Sequence, residues 1–263
     1  MKNIFDKISV KNYYLSLYAT YVVLFLLFLI IQPSKIIPSL QDIGGSLTNL
    51  IINRNILGEL FISITLCLKA MFYSFVISLF ICYLGEVKFG KKGIKIFRPL
   101  PFYISKLRFV TLVGLTFVFT LYSPNGYVLK VMLLTFGMTV FFTTSVYDIV
   151  TKVEQFEYIH ARSLGLSELE VLWEVVILGK FHLVLDAFRQ NFAIVWTMIT
   201  LVEGIVRSDG GIGTILLNEN RSLHLAAIFA IQFLILTAGI IQDFLIKKLQ
   251  SVITPYAQLS LQK

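Results

Sequence analysis

The sequence predicts an all-α polytopic membrane protein, with six transmembrane helices and one long cytoplasmic loop that carries short helices of its own. Three observations lead there. The 263 residues are 57% hydrophobic and only 14% charged, whereas a soluble domain carries about a quarter charged residues. The mean hydropathy is +0.81. The charges that exist are gathered between apolar runs of about 20 residues, the length that crosses a bilayer as a helix.

Those runs are Tyr14–Gln32, Phe61–Leu84, Phe109–Tyr122, Val128–Val146, Val184–Val206 and Leu223–Ile246. The first follows Lys2, Lys7 and Lys11, the outline of a secretion signal. It continues into QPSKIIPSL, which offers no small-x-small cleavage site, so a retained span is expected. Phe109–Tyr122 is short and can extend back toward Leu100. Between the first two spans, Ile36, Ile37, Leu40 and Ile43 suit a short interfacial helix.

Basic residues set the orientation. With the N-terminus inside, the cytoplasmic side holds three before the first span, seven from Lys88 to Arg108, then Lys152, Arg162 and Lys180, and finally Lys247, Lys248 and Lys263. The outside holds only Lys35, Arg54, Arg207 and Arg221. Both termini are therefore expected in the cytoplasm. Residues 1–13 form a cytoplasmic N-terminal segment, and 14–263 one transmembrane domain. The loop between spans four and five, about 147–183, is cytoplasmic. The excess of 23 basic over 15 acidic residues reports topology, and no nucleic-acid partner is expected.

Several chemistries are disfavoured. Cys67 and Cys82 share the second span, about 22 Å apart along a helix, too far for a disulfide. His160, His182 and His224 are scattered and show no metal-ligand spacing. GEVKFGKK, from Gly85 to Lys92, imitates the start of a phosphate loop. Lys92, however, stands where Ser or Thr should hold magnesium, and a membrane span precedes the glycines instead of a buried strand. No G-x-S-x-G or H-E-x-x-H arrangement is present. No catalytic residue, metal or cofactor is expected in this chain.

The informative stretch is ARSLGLSELEVLWEV, from Ala161 to Val175. Ser167 and Glu170 have the spacing of a capping box, with Leu166 and Val171 placed for a hydrophobic staple. A helix thus starts just after Gly165. Leu169, Leu172, Trp173 and Val176 recur along it at helical spacing, opposite Glu168, Glu170 and Glu174. Val153–Leu164 reads as an earlier helix stopped by the glycine. A helix lying on lipid favours a basic polar face. The acidic face here points instead to a protein partner.

The same residues carry a resemblance. ARSLGLSELEVLWEVVIL resembles the EAA loop of type I ABC transporter permeases, in particular the nitrate/sulfonate/taurine branch. FRQNFAIVWTMITLVEGIVRSDGGIGTIL is similar to that family's fifth span and external glycine turn, and QDFLIKKLQSVITPY to its last span and tail. The chain departs from the family at Ile159-His160-Ala161, where Glu-Ala-Ala is usual, and at Leu178-Gly179, where Leu-Pro is usual. The resemblance implies a type I ABC importer fold for a small solute. It implies ATP and magnesium on separate ATP-binding cassette ATPase subunits, an extracytoplasmic solute-binding protein, and a second permease subunit, expected to be another copy. It implies that Ala161, Arg162, Gly165, Leu166, Ser167, Leu169, Glu170, Leu172 and Trp173 form the coupling element that meets the ATPase. Two alternatives stay open: the transmembrane coupling component of a vitamin-type (energy-coupling factor) importer, and a membrane enzyme using Glu203, Asp209 or a histidine.

Ionisable groups inside spans face the protein interior or a water path. Asp186 and Arg189, three apart, are expected to pair on one helical face. Glu203 has two readings of equal weight: it lines the translocation route with Gly210, Gly211 and Gly213, or it anchors the turn those glycines make. Lys130 is expected to snorkel to the outer interface, and Lys69 to face other helices.

Overall fold

The computed structural model of the protein describes residues 19–21, 23, 38–87 and 96–255. The expected first span lies almost wholly outside the described residues, as do Ile36, Ile37 and most of GEVKFGKK. Among the described residues every regular element is helical.

The first long element, α1 (Leu40–Arg54), replaces the short interfacial helix. Its start is fixed by a capping box that the sequence reading passed over: Ser39 Oγ accepts the Asp42 N–H at 3.1 Å, and the Asp42 carboxylate accepts the Ser39 N–H at 3.0 Å. Asn55, with φ 47°, ends it. There follow α2 (Ile56–Glu86), α3 (Pro99–Lys106) with a 3-10 turn (Leu107–Phe109), α4 (Leu112–Tyr122) and α5 (Gly126–Thr151). The loop contributes α6 (Gln155–Ser163) and α7 (Glu168–Val171), which widens into a π-helix over Leu172–Leu178. The chain ends in α8 (Phe181–Ile205), α9 (Ile212–Arg221) and α10 (Leu225–Ile253).

The chain divides into two compact units, Met1–Asn55 with Glu219–Gln232, and Ile56–Asn218 with Phe233–Lys263. In the first, Glu219 is 4% exposed, and its carboxylate is held by Arg54 and by His224 Nδ1, the latter at 2.8 Å. A buried carboxylate needs such partners, because desolvation otherwise disfavours its charge.

In the second unit α5 packs against both α2 and α8. Small hydroxyl residues let α2 and α5 approach. Ser78 Oγ donates to the Thr139 carbonyl at 3.0 Å and accepts from Thr143 Oγ1 at 3.2 Å. Such polar contacts hold helices together where lipid removes the hydrophobic incentive to associate. Phe142 and Phe188 stack at 5.7 Å, and Phe75 sits edge-on to both. On α10, Gln242 accepts from Trp196 Nε1 at 2.8 Å, and Asp243 accepts from Arg189 at 3.0 Å. Arg189 also reaches Asp186 at 3.8 Å, so the expected pair exists but Asp243 is the nearer partner.

Among the described residues three helices, α2, α5 and α10, are long and apolar enough to cross a membrane. Pro99–Phe109 and Leu112–Tyr122 pass that test only together, and they bend by 109° at a break. The break is the extended pair Val110 and Thr111. Helix α8 has the length, but Asp186, Arg189, Gln190, Asn191 and Glu203 dilute its apolarity. The described residues thus offer three or four spans of a multi-pass membrane protein where the sequence suggested six.

Candidate functional site

Ala161 to Val175 forms a sharp corner between two short helices. Helix α6 ends in a paired stop: the Leu166 N–H reaches the Ala161 carbonyl at 3.4 Å, and the Gly165 N–H reaches that of Arg162 at 2.9 Å. This hydrogen-bond pattern needs a left-handed residue at Gly165, whose φ is +85°. The next helix starts at once. Glu170 N–H donates to Ser167 Oγ at 3.4 Å, and the Glu170 carboxylate accepts the Ser167 N–H at 2.7 Å. The Ser167 N–H first, and the Ser167 hydroxyl second, hold the Glu170 carboxyl below the ordinary glutamate value.

Two ion pairs lock the corner, and neither was read from the sequence. Arg162 grips Glu168 with Nε to Oε1 at 3.0 Å and Nη2 to Oε2 at 3.2 Å. Lys180 Nζ meets Glu157 Oε1 at 2.8 Å, tying the segment after the π-helix back to α6. Both join residues on different elements, so no single helical period marks them.

The expected stripe of Leu169, Leu172, Trp173 and Val176 divides. Val171 and Val176 are each 1% exposed, and Val176 packs with Cys82, Val146, Val150 and Val184. Leu172 lies half-buried against the same cluster. Leu169 and Trp173 face outward, 67% and 55% exposed. The π-helix explains the split. Its hydrogen bonds run five residues back, as from Gly179 N–H to the Glu174 carbonyl at 3.0 Å, so residues five apart come toward one side. Val171 and Val176 therefore share the inner face.

The second cluster lies at Asp209-Gly210-Gly211, three successive residues with positive φ, where α9 begins. The Gly211, Ile212 and Gly213 N–H groups donate to the Glu59 carboxylate, to Ser63 Oγ (2.9 Å) and to Glu203 Oε2 (2.8 Å). Ser63 Oγ in turn donates to Glu203 Oε1 at 2.7 Å. A helix N-terminus favours negative charge, so two carboxylates suit this place. Glu203 is fully buried. Both of its oxygens are engaged, Oε2 by the Gly213 N–H of the turn and Oε1 by Ser63. Lys130 is likewise buried at 1% exposure and donates to the Gly210 carbonyl at 2.7 Å, in place of the expected snorkelling. Lys69 keeps an exposed side chain but reaches Tyr127 on a neighbouring helix at 2.9 Å. Glu59 and Ser63 were missed. Their signal was an acid and a hydroxyl one turn apart at the polar end of an apolar helix.

A mostly apolar cavity of about 470 Å³ lies at the break between the 3-10 turn and α4, beside Gly137 and Met198. Irregular backbone at membrane depth is tolerated where it is buried in protein or lines a cavity.

No family model and no curated protein sequence matches the chain. Among solved structures, 80% of this chain superposes on 97% of a chain from the crystal structure of an amino acid ABC transporter with histidines, at a TM-score of 0.60 and 17% identity. The likeness is one of fold.

Proposed function

We propose that the chain is the membrane permease subunit of an ATP-driven importer for a small solute, with six spans and both termini in the cytoplasm. The observation that carries this reading is the corner at Gly165. Two ion pairs and a capping box hold two short helices at a fixed angle, with Leu169 and Trp173 presented together on the outside. That is the form of a docking element. The inward side chains Leu172 and Val176 join it to the cluster formed by α2, α5 and α8, so a push on the corner reaches the spans. The fold shared with an amino acid ABC transporter supports the same reading.

On this reading a separate ATPase subunit binds ATP and magnesium, and closes against the corner of each of two permease copies. The spans then shift between inward- and outward-facing states, because each ligand binds the two states with different affinity. The turn at Gly210–Gly213 and the cavity beside the broken span are the elements that would open and close. An extracytoplasmic binding protein supplies the solute, a small anion of the nitrate, sulfonate or taurine kind.

Replacing Gly165 by Val tests it. A Cβ at this position meets nothing within 4 Å, so the only penalty is the positive φ, which a β-branched residue resists. The variant should insert and express normally, yet lose ATPase co-purification or solute-stimulated ATP hydrolysis. Wild-type assembly and transport by Gly165→Val would refute the coupling role.

A further inference from the structure

A cleft of about 420 Å³ opens where the ends of α2 and α5 meet α6 and the turn before α3. Two cationic residues, Arg98 and Arg162, line it together with Tyr158, Gln155 and Glu86. Glu86 is 9% exposed, so one largely buried anion stands against two cations. Arg162 is held on one edge by Glu168, which fixes its direction. Burial first, and the Glu86 charge second, push the Tyr158 hydroxyl up to about 12, so it stays a neutral donor at physiological pH.

The surroundings of Arg98 are greasy. Ile96, Phe97, Leu100, Phe102 and Tyr103 are all exposed, and Lys106 lies over the Phe102 ring at 4.8 Å. Aromatic side chains interleaved with cations suit the boundary between acyl chains and headgroups. One place therefore offers charged donors beside an apolar ledge. A free anion would use only the first of these features, whereas a lipid uses both.

We propose that this cleft holds the phosphate headgroup of an anionic phospholipid, its acyl chains lying along Ile96, Phe97 and Leu100. The lipid would bridge the turn before α3 to α6, the helix that ends at the Gly165 corner. Bound lipid would then stiffen the segment through which a partner acts on the spans. Binding itself needs neither ATPase nor solute, so its failure would leave the proposed transport role standing.

Native mass spectrometry of the purified full chain tests this with three probes: dioleoylphosphatidylglycerol, dioleoylphosphatidylcholine and inorganic phosphate. The phosphatidylglycerol should be retained over the phosphatidylcholine. Arg98→Gln and Arg162→Gln should each lower that retention roughly fivefold, the effect of one surface cation on an anionic lipid. Arg98→Lys should keep most of it, and Arg207→Gln, outside the cleft, should change nothing. Ile96→Ser should also weaken retention, because the ledge is part of the site. Equal retention of the two lipids, or no loss in both arginine variants, would overturn the proposal. Inorganic phosphate that displaces the lipid, together with an inert Ile96→Ser, would overturn the lipid assignment by making the cleft a free-phosphate site.

Discussion

Glu203 accepts the Gly213 N–H at 2.8 Å from ten residues earlier in the chain, and shares its other oxygen with Ser63. One buried carboxylate thus fastens the end of α8, the start of α9 and the early turns of α2.

Glu203→Gln should loosen that fastening. The amide keeps the shape but has one acceptor oxygen in place of two, so either Ser63 or Gly213 loses its acceptor. An unsatisfied buried group costs about 1–3 kcal/mol. The expected result is a lower melting temperature in detergent. Gly211→Ala should be worse, because φ there is +111° and its Cβ would enter the Glu203 carboxylate. An unchanged melting temperature in both variants would show that the turn is not held this way.

The corner at Gly165 makes a graded prediction. Asn enters the left-handed region several-fold more readily than other non-glycine residues, and β-branched residues hardly at all. Coupled ATP hydrolysis should therefore fall in the order Gly, Asn, Ala, Val at position 165. Since no neighbour contacts the new Cβ, size alone predicts no such order. Equal activity for Asn and Val would exclude the backbone explanation.

Much of this corner was legible in the sequence, because its signals are local. A serine three residues before a glutamate, and a glycine just ahead, dictate caps that need no tertiary contact. The Ser39–Asp42 box is equally local, a serine three residues before an aspartate. What the sequence hid was long-range. Glu59 and Ser63 lie some 150 residues from the turn they hold, and Lys130 looked like a snorkelling lysine because its partner is a backbone carbonyl 80 residues away. The split face after Val171 was hidden for another reason. Assigning helical spacing presumes 3.6 residues per turn, and Leu172–Leu178 does not keep it.

The capping box also predicts a titration. The Ser167 hydrogen bonds favour ionised Glu170 in the folded chain. Its folded pKa is thus depressed, so the stabilisation is present above the unfolded value and disappears as pH falls through the folded one. Carbon-13 carboxyl NMR should find the Glu170 midpoint below that of an ordinary glutamate, and Ser167→Ala should raise it. Identical midpoints in the two proteins would mean that the box is open in solution.

The last prediction separates folding from docking within one short segment. Val171 and Val176 are 1% exposed, whereas Trp173 is 55% exposed. Trimming either valine to Ala removes the equivalent of two buried methylene groups, about 1.6 kcal/mol at ~0.8 kcal/mol each. Val176→Ala should therefore melt earlier, with the isolated chain as the readout. Trp173→Ala should lower the melting temperature of the isolated chain only in part, because more than half of that residue is exposed. Its larger cost should appear with the ATPase present, as weaker co-purification, since a large aromatic at the centre of an interface supplies much of the binding energy. Trp173→Ala that melts early but assembles normally would place this side chain in the fold, and would leave the corner without its docking surface.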